Sequence, residues 1–311
     1  MQSYNEFLKK CRLKPISYFK KGKSLIIETK DKKYVLKEKI NDPSIYEYLS
    51  VRSFNNYPVI LFKNDYYDIT DYIEEEKIPE DQKLEELMKI VATLHSKTTY
   101  YEVKDLAYFK EIYETLNNNI EYLNSYYFDI ITLIDTKEFM SPSEYLFARN
   151  YTMISSSLNL AHDMLNNWYK KVENLTSTRM VVLHNNLNLE HFIYNKSKTL
   201  ISWRKSKFGC PIFDLLAIFN EYGNKYNFLD KLKMYELIYP LKDEEKELLF
   251  IFMIIPPKIE FKESEYDLCL YLTKKVELLY KANKIVLPYK FKNSKENNED
   301  KDKNHKNTEF S

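Results

Sequence analysis

The side chains best suited to chemistry gather in one stretch, Val181–Leu216, VVLHNNLNLEHFIYNKSKTLISWRKSKFGCPIFDLL. Short apolar runs at 181–183, 191–194 and 200–203 surround a polar loop that opens on His184 and a turn at 195–198. Short strands around such a loop can place its side chains in a shared cleft. Asn186 is a neutral amide, able to hydrogen-bond a hydroxyl but unable to take its proton. Ser202 offers a neutral hydroxyl, and His191 a nitrogen suited to zinc or copper. No Cys or second His stands at ligand spacing from His191, so a satisfied histidine is expected there and no metal site. Glu190, beside it, is a candidate substitute base.

Lys37 lies outside this stretch on a run that alternates apolar and charged residues, and Glu47 follows ten residues on. The two are either an ion pair at a cleft or ordinary surface charges. Lys20, Lys21 and Lys23 attract anions, but Gly22 alone among them makes a weak phosphate loop, since such loops usually need several glycines.

The elements that must position these residues are legible in the pattern. Runs at 16–19, 25–29 and 34–39, and a pair at 59–62 and 66–69 across Lys63-Asn64-Asp65, read as antiparallel strands. Asp42-Pro43-Ser44 opens a helix over 45–54. Leu84, Leu87, Met88, Val91, Leu94 and His95 share a helical face. A long helix starts near Asp105. A second is opened by Ser141-Pro142-Ser143-Glu144, a capping box with Pro at the first helical position, and the short loop between them predicts antiparallel packing. A helix begins near Ile212, and others cover 244–255 and 266–280. Residues 292–311 have almost no apolar side chain and read as a disordered tail.

Composition narrows the class. Of 311 residues 44% are hydrophobic and 30% charged, the balance of a soluble globular protein. With Lys+Arg 47 against Asp+Glu 46, no global field argues for a nucleic-acid partner. No apolar run reaches the length of a membrane span, the longest being 248–255, stopped by Pro256-Pro257. Cys11, Cys210 and Cys269 are few and scattered, and the first residues lack the apolar core of a signal peptide. A reducing, cytoplasmic setting is therefore expected.

Taken together, these residues resemble the catalytic segment of the aminoglycoside phosphotransferase and choline kinase superfamily. That family carries His-Gly-Asp, then an Asn five residues after the Asp, an apolar run ending in Asp-Trp, and Tyr-Asp-Leu. His184-Asn185-Asn186, His191, Ile201-Ser202-Trp203 and Phe213-Asp214-Leu215 keep the frame with other letters. The resemblance implies a two-lobed, kinase-like α+β fold. Residues 1–75 would form a small-sheet N-lobe, 76–291 a helical C-lobe holding the segment 181–216, and 292–311 the tail. It implies that Asn186 occupies the position of the catalytic base, that His191 and Ser202 occupy those of the metal ligands, and that His184 shapes the loop. By the same resemblance Lys37 and Glu47 mark a degenerate nucleotide site, and Asp214 accepts backbone N–H groups of the 184–186 loop. With three chemical positions altered at once, the expectation is a pseudokinase that binds or scaffolds. No cofactor is expected beyond weak ATP binding without Mg²⁺, and the protein partner or small molecule is not named by the sequence. An active small-molecule kinase using substitute residues and a non-catalytic ligand-binding protein stand as alternatives. Phe252–Phe261 (FMIIPPKIEF) resembles the bacterial spore-coat branch, which implies a place in the spore coat and a low-GC host.

Overall fold

A computed structural model describes residues 4–39, 44–261 and 264–308, with side chains as far as residue 290 and without that of Ser44. The chain opens with α1 (Tyr4–Lys10), β1 (Ser17–Lys21), β2 (Ser24–Glu28), β3 (Lys33–Glu38), α2 (Ser44–Val51), β4 (Ile60–Lys63) and β5 (Tyr67–Asp71). Next come α3 (Glu80–Thr98), β6 (Tyr100–Val103), α4 (Leu106–Asp135), α5 (Pro142–Val172) and β7 (Ser177–Leu183). The short strands β8 (Phe192–Ile193), β9 (Thr199–Leu200) and β10 (Lys207–Gly209) precede α6 (Ile212–Tyr222), α7 (Phe228–Glu236), α8 (Asp243–Ile254) and α9 (Glu265–Thr308). The proposed helix start at Asp42-Pro43 lies outside the described residues.

Two compact units share the chain. The first comprises residues up to Tyr100, Val181–Asp214 and Lys231–Pro240, so the sheet, α3 and the central segment belong together. The expected lobes instead divide the chain near residue 75.

In the first unit five strands pair antiparallel in the order β1-β2-β3-β5-β4. Period-2 alternation sends Leu36 of β3, Ile27 of β2 and Ile69 of β5 to one face, where they bury against Phe7 and Leu8 of α1. Each such side chain contributes about 1.5–3 kcal/mol by leaving water. The opposite face carries Lys37, directly across from Asp68 of β5. Helix α1 is too short to announce itself by periodicity. It is closed by Arg12, whose φ of 56 lies in the left-handed region, while Leu13 N–H reaches Leu8 O and Arg12 N–H reaches Lys9 O. On α3 the apolar face seen in the sequence is buried, Leu84 to His95. The buried Lys231 of α7 pairs with Asp81 at 2.6 Å and Glu85 at 3.0 Å on α3.

The second unit is built on α4 and α5. Asp105 caps α4, and both halves of the Ser141–Glu144 capping box form at α5. Tyr127 of α4 lies 5.6 Å from Phe147 near the start of α5, and Phe109 lies 6.3 Å from Trp168 near its end, so the helices run antiparallel. Tyr126 and Tyr127 donate to the carbonyls of Ile259 and Pro257, tying down the Pro-containing stretch after α8. Arg179 and Glu245 form a buried pair at the start of α8. Where a disordered tail is expected, α9 continues as helix through Thr308. Residues 309–311 lie outside the described part. No helix among the described residues is long and apolar enough to cross a membrane.

Candidate functional site

The site is organised by the loop that leaves β7. Val181, Val182 and Leu183 are fully buried, which fixes where the loop begins. A Gly-Cys-Pro break then sets Asp214 in the first turn of α6. Its carboxylate, 1% exposed, accepts the backbone N–H groups of His184 and Asn185, each at 2.8 Å. Asn185 can turn there because its φ of 53 is one that Asn tolerates. The second contact of Asp214 is His95 of α3, with Nε2 3.3 Å from Oδ2, and His95 Nδ1 is 2.7 Å from the Tyr235 hydroxyl. With Nε2 protonated, the imidazole donates to Asp214 and accepts from Tyr235, so the buried chain of polar groups is satisfied end to end. Thr98 Oγ1 accepts the Val182 N–H at 3.0 Å, fixing β7 to the same helix.

His184 is turned away from solvent. Nε2–H donates to Ile201 O at 2.9 Å and the ring meets Trp203 edge-on at 4.8 Å. Burial pushes its pKa down to about 4, although the Asp214 charge pulls the other way. At neutral pH it is a neutral imidazole that shapes the loop. Trp203 is itself core, wholly buried against Phe54.

The three altered positions are brought together and bonded to each other's backbone. Asn186 Nδ2–H donates to Ser202 O at 3.2 Å, and Asn186 O lies 2.7 Å from His191 Nδ1, which donates to it. His191 O in turn accepts the Ile201 N–H at 2.9 Å. Ser202 has φ 71, a left-handed turn that ends the run begun in β9 after Leu200. The run expected at 191–194 likewise opens as a turn of 3-10 helix at Leu189–His191 before β8. Glu190 sits on that turn with its side chain exposed. The loop can therefore offer neutral hydrogen-bonding groups to a ligand. It presents no carboxylate at 186, 191 or 202.

Lys37 and Glu47 are not joined. On α2, Ile45 and Leu49 are buried, and Glu47, two residues from each, points to solvent on the opposite side. Lys37 is half-buried, and burial pushes its amine pKa down. No hydrogen bond or ion pair reaches it among the described residues. Across the strand, burial pushes the Asp68 carboxyl up, and its Oδ1 has no hydrogen-bond partner among the described residues. The exposed Arg204–Glu38 pair, at 3.5 Å, links the turn after Ser202 to β3. Gly22 turns the β1–β2 hairpin with φ 57.

The sequence places His95 on the apolar face of its helix, with Leu84, Leu87, Met88, Val91 and Leu94. A histidine on the buried face of a helix was the available signal for its role, and Tyr235 gave none because α7 itself was not foreseen.

Comparison with known proteins follows from this geometry. Over 89% of its length the chain is similar to an aminoglycoside phosphotransferase from Alicyclobacillus acidocaldarius, covering 93% of that chain, with TM-score 0.63 and 10% identity. It is also similar to spectinomycin phosphotransferase APH(9)-Ia in complex with ADP and spectinomycin, with TM-score 0.51, 13% identity, and coverage of 91% and 99% of the two chains. No family model matches the sequence, and no curated protein matches it. The likeness is one of fold, and it defines the class: a mixed α+β chain with the kinase-like phosphotransferase fold, a small antiparallel sheet and a mainly helical remainder.

Proposed function

We propose that this chain is a pseudokinase, a phosphotransferase fold used to bind or scaffold without transferring phosphate. One observation carries the reading. At the positions where the resembling family holds its base and metal ligands, Asn186, His191 and Ser202 are tied to one another through side chain and backbone. Phosphoryl transfer in this fold depends on positioning and on metal ions that neutralise the phosphates, and carboxylates hold those ions. Neutral groups at 186 and 202 supply neither the base nor the clamp. Binding without turnover draws separate support from Lys37, a half-buried amine with no protein partner among the described residues. Such a point charge can hold a phosphate without a metal. The resemblance of 252–261 to the spore-coat branch supports a scaffold role in spore-coat assembly as its setting.

Calorimetry with ATP tests the reading, with and without Mg²⁺. Weak binding that is indifferent to Mg²⁺ and lost in Lys37→Ala is expected. Tight binding that requires Mg²⁺ would contradict it and favour an active kinase, with Glu190 the residue to examine as base.

A further inference from the structure

Beside α1, along the edge strand β4, lies a groove of about 610 Å³. Phe7, Cys11 and Phe62 line it together with Lys10 and Arg12, while Lys63, which also borders it, is paired with Asp68 in register and so faces the Lys37 side of the sheet. The three cations make no ion pair among the described residues, although Lys63 lies near enough to Asp68 to act on its carboxyl. Glu6 and Asp65, the nearest acids in sequence, form no ion pair with them either. The surrounding chain adds to the field, since residues 1–39 hold twelve Lys or Arg against four Asp or Glu. Arg12 is unusual in its own right. It occupies the left-handed position that closes α1, where glycine is favoured. Its backbone is strained there, in a conformation that side chains seldom adopt without a use.

We propose that this groove binds a small organic anion with an apolar body, such as an aromatic carboxylate. The body would rest on Phe7 and Phe62 and the charge would sit between Lys10 and Arg12. Guanidinium forks match carboxylates in geometry, and a volume of this order suits a small ligand, roughly 300–1,000 Å³ being usual.

The test uses the full chain with anilinonaphthalene sulfonate as the probe. Fluorescence titration gives the affinity, and peptide-level alkylation by iodoacetamide gives the rate at Cys11, with Cys210 and Cys269 as internal references. Saturable binding is expected to slow Cys11 alkylation by about fivefold or more, since thiol reaction needs access, and to leave the other two rates unchanged. The double variant Lys10→Gln/Arg12→Gly keeps the fold, because glycine relieves the left-handed position, and should bind about tenfold more weakly. Absence of saturable binding, saturation with Cys11 unprotected, or an unchanged affinity in the double variant would each overturn the proposal. Protection of Cys11 by an acidic, Phe-containing peptide but not by the sulfonate would make the groove a peptide dock and also overturn it.

Discussion

Two clusters meet at the loop from 184 to 191 and differ in what they retain. The cluster around Asp214 is buried, charged and satisfied, with two backbone N–H groups and His95 on one carboxylate and Tyr235 behind the histidine. The cluster around Asn186 is half-exposed and has no carboxylate at 186, 191 or 202, and its side-chain bonds end on backbone carbonyls. The first has the form of a device that holds a loop in place. The second is the one the proposed reading treats as a catalytic position without its carboxylates. The shape of the loop and the chemistry it offers are thus specified by separate residues.

The comparison breaks most readily at Asp214. Asp214→Ala leaves two buried N–H groups and a histidine without their acceptor, at a cost of about 3–5 kcal/mol. A melting curve that overlays the wild type would show that the first cluster holds nothing. The next effect is pH-dependent. The folded pKa of His184 is depressed to about 4 from an ordinary 6.5, so unfolding takes up a proton between those values. Its contribution is fully present above pH 6.5 and is lost as pH falls towards 4, about 3 kcal/mol in all. Imidazole titration by NMR checks this directly, and a midpoint near 6.5 would mean that the ring is not buried as described. Tyr235→Phe removes the hydroxyl that bonds His95 at the far end of the chain, and a loss of about 1 kcal/mol is expected in denaturant melts.

The smallest effect on stability belongs to the second cluster. The triple change Asn186→Asp, His191→Asn and Ser202→Asp should alter stability by no more than about 1 kcal/mol, since all three positions are half-exposed. Its effect should appear in calorimetry as nucleotide binding that now responds to Mg²⁺. If the variant gains no Mg²⁺ dependence, the frame of the resemblance is misaligned at these positions.

Much of this arrangement was legible before the structure. The sheet strands, the α3 face, the capping box of α5 and the start of α6 all announce themselves by alternation, helical spacing or capping chemistry. Asp214 is reached through the family resemblance and not through local pattern. What was not legible depends on long-range placement. Seven-residue α1 has no period to read, and β6 and β10 gain their strand character from pairing. Glu47 and Lys37 have the right types and order for an ion pair, and only the rotation of α2 about Ile45 and Leu49 shows that Glu47 points elsewhere. The His95–Asp214 contact spans 119 residues, beyond anything local pattern can report.

The account's central claim is that the fold binds without transferring phosphate. ATP turnover by the purified wild-type protein with Mg²⁺, offered aminoglycosides, choline, sugars and proteins as acceptors, tests it most directly. The account predicts no turnover above the protein-free background for any acceptor. Turnover that disappears in Lys37→Ala would contradict it.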